Sequence, residues 1–228
     1  MRNALVLLVI LSTSTSLAAD FALSKVVATT GGEVRGLNAD GVSAFKGIPY
    51  AAPPTGPRRF LPPQPLAPAE GVYDAFDFGA PAMQMYATSG GGATEIGWQL
   101  AEIFPMRSEE KIDNEDCLYL NVWTPAPDDS KRAVMVWLHG GGFAYGSGAW
   151  RAYDGANLAR AGDVVVVTVN HRLNVFGFLS LDEITNGAHA GSGNAGMLDL
   201  VASREWLRDN IAAYGGDPGN VTMFGESG

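Results

Sequence analysis

The chain has 228 residues, enough for one domain with a sizeable core, and 46% of them are hydrophobic against 17% charged. Its formal net charge is −9, from 15 basic and 24 acidic side chains, which argues against nucleic acid and anionic membrane surfaces as partners. Gly at 29 and Pro at 13 point to many turns and long loops.

Residues 1–19 read as a secretory signal. Arg2 supplies the positive start, and Ala4 to Leu11 is an apolar run too short to span a bilayer. Ser16-Leu17-Ala18 is a small-x-small cleavage site, and cleavage after Ala19 also fits. The expectation is a secreted or periplasmic protein whose domain is residues 20–228, with no membrane contact after signal cleavage. Cys117 is the single cysteine, so no intrachain disulfide is available.

Next comes an alternating segment, Val26 to Val34, and then Val42-Ser43-Ala44-Phe45. Gly31-Gly32 and Asn38-Ala39-Asp40-Gly41 lie between them as turn signals, which predicts an antiparallel strand set. Residues 49–68 hold eight prolines, from Pro49 to Pro68, and predict extended surface coil. Residues 79–113 form a long, weakly patterned stretch, of the kind that is functional or mobile.

The pattern then sharpens. Leu118 to Trp123 alternates like a strand and stops at Thr124-Pro125, and Ala133 to Leu138 is a short apolar strand. Val164 to Val169 is a continuous β-branched run, as in a central strand covered on both faces. A helix is expected from about Met197 to Tyr214, stopped by Gly215-Gly216. Leu198, Val201 and Trp206 lie on one side of it and Leu200, Leu207 and Ile211 on another, which predicts a largely buried helix. Asp217-Pro218-Gly219 turns into a last short strand, Val221 to Phe224, read as belonging inside the sheet, with unpaired edge groups exposed where further strands belong. Strands interleaved with helices indicate an α/β fold.

Two motifs carry chemistry. Gly225-Glu226-Ser227-Gly228 follows the last strand and reads as G-x-S-x-G cut one residue short, a nucleophile elbow. A serine on such a turn stands above the sheet within reach of a carbonyl, so Ser227 is the candidate nucleophile. His139-Gly140-Gly141-Gly142-Phe143 follows the strand Ala133 to Leu138. Attack on an ester creates an oxyanion that needs preorganised N–H donors, and glycine lets backbone amides approach closely. The natural donors are the amides of Gly141, Gly142 and Gly228. Glu226 either shapes the electrostatics beside the substrate or supports the elbow by hydrogen bonding. His139 is expected to brace the glycine loop, His171 to be structural and His189 to be solvated. No histidine has the spacing of a metal site with a second His or Cys. Gly191-Ser192-Gly193-Asn194-Ala195-Gly196 fits G-x-G-x-x-G but follows no strand, so a dinucleotide site is discounted. Asn220-Val221-Thr222 is a glycosylation triplet entering a strand, and is also discounted.

Longer stretches resemble the type-B carboxylesterase/cholinesterase family. They are Gly47-Ile48-Pro49-Tyr50-Ala51, Glu115-Asp116-Cys117-Leu118-Tyr119-Leu120-Asn121-Val122-Trp123-Thr124-Pro125, Val169 to Leu179, and Tyr214 to Gly228. The resemblance implies an α/β-hydrolase fold, with a central mostly parallel sheet flanked by helices, and a Ser–acid–His triad in that chain order. The acid and the histidine would then lie beyond Gly228, and the chain would be an N-terminal portion truncated after the nucleophile elbow. It also implies a small-molecule ester substrate and no metal or organic cofactor, and it leaves the oligomeric state open. The rival reading is a catalytically silent binding module of the same family.

Departures from the family are informative. The cysteine that pairs with the one at position 117 in much of the family is missing from Phe78-Gly79-Ala80-Pro81-Ala82-Met83-Gln84, so Cys117 is expected to be a shielded free thiol. The cholinesterase tryptophan that binds quaternary ammonium is missing from Phe104 to Asn114, and Trp98 is off-register, which disfavours choline esters. The resemblance also predicts two ion pairs, Arg59 with Glu115 and Arg172 with Asp199.

Overall fold

A computed structural model describes residues 22–84 and 112–227. The signal segment, Trp98, Phe104 and Gly228 therefore lie outside the described residues.

The chain folds around a seven-stranded mixed sheet. Its strands are β1 (Ala22–Leu23), β4 (Leu37–Ala39), β5 (Val42–Pro49), β7 (Tyr119–Thr124), β9 (Val165–Val169), β8 (Arg132–Leu138) and β10 (Gly216–Gly225), in that spatial order. The pairs from β1 across to β9 are antiparallel. The last three strands, β9-β8-β10, run parallel. A small sheet of β2 (Val27–Thr29), β3 (Gly32–Arg35) and β6 (Val72–Asp74) sits beside it. With α1 (Ala156–Gly162), α2 (Asn174–Phe178) and α3 (Ala195–Asn210) around it, this is the α/β-hydrolase architecture the resemblance implies.

Period-two alternation decides what each strand buries. Leu120 and Val122, Val134 and Val136, and Val165, Val167 and Val169 face one side, where Leu200, Trp206, Leu207, Ile211 and Tyr214 complete the main core. Trp123 and Val166 face the other side and pack on Ala159 of α1 and on Val42. All five residues of β9 are buried because both faces are covered and both edges are paired.

One expectation needs correction. Helix α3 ends at Asn210, continues as a 3₁₀ turn over Ile211–Tyr214 and stops at left-handed Gly215. Only one stripe of it is covered: Asp199, Leu200, Ser203, Trp206, Leu207 and Asn210 are buried, while Val201 is 53% exposed. Of the other expected side, Trp206 is itself in the core and Leu198 is half-buried, so Val201 is the member left outside. Among the described residues the last strand, β10, lies at the sheet's edge with its outer side bare, as expected where further strands would belong. It pairs only with β8, and Met223 is 46% exposed, because its outer edge has no neighbour among the described residues.

Both expected ion pairs form. Arg59 grips Glu115 in a bidentate contact at 2.5 and 2.6 Å, tying the Pro-rich coil to the entry of β7. Arg172 donates to Asp199 through its backbone N–H at 3.0 Å, Nε at 2.8 Å and Nη2 at 2.6 Å, binding the end of β9 to α3. Burial pushes the Asp199 carboxyl upward against the pull of those bonds. Cys117 is shielded, and burial pushes its thiol well up, with Asp199 adding to the shift. The sequence shows no cationic neighbour for this thiol, but the fold supplies one, Arg172, which opposes the shift without reversing it.

Candidate active site

The ends of three parallel strands build the site. β8 runs into His139-Gly140-Gly141-Gly142, β9 into Asn170-His171-Arg172, and β10 into Glu226-Ser227. Because β8 pairs in parallel with both neighbours, with Gly225 opposite Leu138 and Leu138 opposite Val169, all three segments emerge at one carboxyl edge. This is where α/β sheets place ligands.

Ser227 stands in the left-handed region at φ 59°, a conformation that costs a side-chain-bearing residue about 1 kcal/mol or more and is met at nucleophile turns. It is exposed, as is Glu226. The glycine loop packs directly against this elbow. A Cβ on Gly140 would lie 2.5 Å from both the Glu226 carbonyl oxygen and its Oε2, and 3.1 Å from the Ser227 Cβ. Gly140 therefore belongs to the site through close approach. In the sequence, the run of three glycines is the signal for it. Glu226 closely approaches Gly140, and the Tyr153 hydroxyl is pushed up by burial and then by the Glu226 carboxylate.

Gly141 has φ 113°, and a Cβ there would overlap the Tyr145 carbonyl. Gly142 follows at φ 59° and Phe143 at φ 58°. The loop closes on itself, with the Ala144 N–H donating to the Gly141 carbonyl at 3.0 Å. The Asn174 N–H donates to the Phe143 carbonyl at 2.7 Å. Asn170 holds the far end: its Oδ1 accepts from the Gly148 N–H at 2.8 Å and from Ser147 Oγ at 3.1 Å. Thr168 Oγ1 donates to the Gly148 carbonyl at 2.7 Å. Asn170 was missed in the sequence, where a polar residue closing a β-branched run was the available hint.

The histidines act as braces. His139 and His171 are buried and stacked, with ring centroids 5.0 Å apart. Each Nδ1 lies against a carbonyl, that of Gly140 at 2.8 Å for His139 and that of Arg172 at 2.9 Å for His171. A carbonyl only accepts, so each Nδ1 carries the proton. Burial, with His171 adding, lowers His139 to about 4, and burial lowers His171 too. His189, expected to be solvated, instead packs edge-on to Phe60 at 6.5 Å with its Nδ1 buried, because the 181–190 loop folds back over the Pro-rich coil. The G-x-G-x-x-G segment forms a 3₁₀ turn, Ser192–Asn194, leading into α3.

A pH dependence follows from the two stacked rings. Their folded pKa lies below that of a free imidazole, so the unfolded chain takes up protons first. The stability His139 contributes is present above about pH 6.5 and is lost as the pH falls toward 4, by about 1.4 kcal/mol per unit in that window, and His171 shifts in the same direction. Replacing His139 by Asn keeps a donor for the Gly140 carbonyl and should remove about one proton's worth of slope. Urea unfolding of both proteins at pH 7, 6 and 5 measures it, and parallel curves would exclude His139 as the cause.

Two cavities, of about 310 and 270 Å³, lie along the Pro-rich coil, and neither is lined by the glycine loop or the elbow. Among the described residues, no cluster of three or more His, Cys, Asp or Glu could hold a metal ion. Nor is any helix among them long and apolar enough to cross a membrane.

Comparison with known proteins agrees with this geometry. A model of the Carboxylesterase family matches residues 23–228. The para-nitrobenzyl esterase of Bacillus subtilis is 43% identical over 203 residues, covering 89% of this chain and 38% of its own length. The acetylcholinesterase of Electrophorus electricus is 45% identical over 189 residues, covering 82% of this chain and 28% of its own length. Among solved structures, the Geobacillus stearothermophilus carboxylesterase EST55 superposes with a TM-score of 0.75 at 48% identity, over 88% of this chain and 37% of that one. An esterase from Clostridium hathewayi, described as able to hydrolyse aliphatic aromatic polyesters, gives 0.79 at 43% identity, over 91% of this chain and 39% of that one. The chain thus spans less than two fifths of the length of these relatives.

Proposed function

Because the chain belongs to the carboxylesterase family, we propose that it provides the nucleophile and oxyanion donors of a serine carboxylic-ester hydrolase. Ser227 Oγ attacks the ester carbonyl carbon while its proton passes to a base. The amides of Gly141, Gly142 and Gly228 hold the oxyanion, the alcohol leaves with a proton, and water then cleaves the acyl-enzyme. The observation that carries this reading is the contact of Gly140 with Glu226 and Ser227, which sets a glycine loop against a left-handed serine at the ends of two paired parallel strands.

The triad acid and histidine are assigned to sequence following Gly228, since His139 and His171 are neutral, stacked and turned onto carbonyls. The substrate class is a small-molecule carboxylic ester. Choline esters are disfavoured by the missing tryptophan between Phe104 and Asn114. No metal or organic cofactor takes part. Residues 1–19 are assigned to export, to the periplasm or beyond the cell, and residues 20–228 to the esterase domain. The rival, a silent binding module, is disfavoured because Ser227 and the glycine loop are both retained. A fluorophosphonate probe applied to the complete polypeptide tests the choice. Its adduct is expected on the peptide carrying Ser227, and absence of labelling under conditions that label the Bacillus esterase would favour the silent module.

A further inference from the structure

One side chain far away in sequence grips the glycine loop. Gln84 precedes Gly146 by 62 residues, yet its amide bonds that residue's main chain in both directions. The Gly146 N–H donates to Gln84 Oε1 at 2.7 Å, and Nε2 donates to the Gly146 carbonyl at 3.1 Å. A third bond, from Nε2 to the Ala82 carbonyl at 3.0 Å, fixes the amide plane.

Gly146 is the residue on which the start of the loop rests. It is at φ 122°, and a Cβ there would overlap His139 Nδ1 and lie 2.5 Å from the Gly140 carbonyl oxygen. The preceding carbonyl, of Tyr145, sits equally tight under Gly141. Moving Gly146 therefore moves residues 139–141. A run of glycines has little conformational preference of its own, and oxyanion donors contribute only when they are already aimed. Asn170 holds Gly148 and the Asn174 amide holds Phe143, but among the described residues it is Gln84 that bonds the residue beneath His139 and Gly140. The segment that carries it is tied down as well, since Asn170 Nδ2 donates to the Ala80 carbonyl at 3.2 Å and Asn174 Nδ2 to the Met83 carbonyl at 2.6 Å.

We propose that Gln84 is a positioning residue for the oxyanion loop, setting the Gly141 and Gly142 amides over Ser227 through its two-way grip on Gly146. The assignment rests on the serine-esterase reading above.

Its test uses the complete polypeptide and counts active sites by phosphonate titration. Gln84→Met keeps the side-chain length and removes the three bonds. Misaimed donors lose transition-state binding and leave ground-state binding intact. The expected result is a kcat lower by about 10- to 100-fold per titrated site, with KM within about twofold. Affinity for a trifluoromethyl ketone, which forms a hemiketal oxyanion on the serine, should fall by the same factor as kcat/KM. Gln84→Glu keeps the acceptor for the Gly146 N–H and should be intermediate; it carries the test if the Met variant does not fold. A role in stability alone would lower the number of titrated sites and leave kcat per site and ketone affinity unchanged, and that result overturns the proposal. Ser227→Ala separates the two claims: if it is inactive while Gln84→Met is unimpaired, only the positioning role falls. If Ser227→Ala retains turnover, the serine reading falls and takes the Gln84 assignment with it.

Discussion

Residues 20–228, purified alone, are expected to hydrolyse a short-chain aryl ester no faster than their Ser227→Ala variant. An unassisted serine hydroxyl is a poor nucleophile at neutral pH, and a positioned base is worth about 10²- to 10⁴-fold. Two of the three histidines are excluded by geometry. His139 and His171 are buried, held neutral, stacked on each other and committed through Nδ1 to carbonyls. His189 lies against Phe60 on the Pro-rich coil. The deficit relative to a polypeptide carrying a full triad should reach about 10⁴-fold or more. Poor solubility is expected as well, since among the described residues the outer edge of β10 has no strand beside it, next to exposed Met223. Initial rates for the two proteins under identical conditions decide the matter. Turnover that depends on Ser227 would mean that a base exists within residues 20–228, and the assignment of the triad histidine to later sequence would have to be abandoned.

Asp199→Ala is expected to destabilise the fold by about 3–5 kcal/mol. Arg172 and Asp199 have side-chain exposures of 3% and 0%. Removing the carboxylate strands a guanidinium whose Nε and Nη2 lose their acceptor, and the Arg172 backbone N–H loses its acceptor too. Among the described residues the guanidinium keeps only the bond from Nη1 to the Leu61 carbonyl, at 2.8 Å. The double variant Arg172→Met with Asp199→Leu removes both charges and should cost much less than the single change, because the penalty comes from the unpaired charge and not from loss of the pair. Urea midpoints for the single and double variants measure this. A single variant within 1 kcal/mol of the parent would show that water reaches the site and that the pair is not buried in solution.

Local structure and the chemical vocabulary of the site were legible in the residues alone. Strict alternation in 118–123 and the β-branched run 164–169 specified strands and their faces, because side-chain direction along a strand has period two whatever lies beside it. Gly215 ended the helix because a left-handed stop is nearly free for glycine. The two glycine-rich motifs carried the site, since their chemistry depends on backbone conformations that those residues alone readily adopt.

Burial, neighbours and support depended on packing between distant parts of the chain. Val201 and Leu200 are equally apolar, yet only Leu200 is covered, because coverage depends on which elements pack alongside α3. Strand β10 is apolar in pattern but half exposed, because a strand's burial is set by its neighbours in the sheet. Arg172 stands near Cys117, and Gln84 reaches Gly146, across 55 and 62 residues of chain. Such contacts leave no trace in periodicity or local propensity. They arise when packed strands bring distant loops to one edge of a sheet, and the hydrogen bonds that aim the site are made only there.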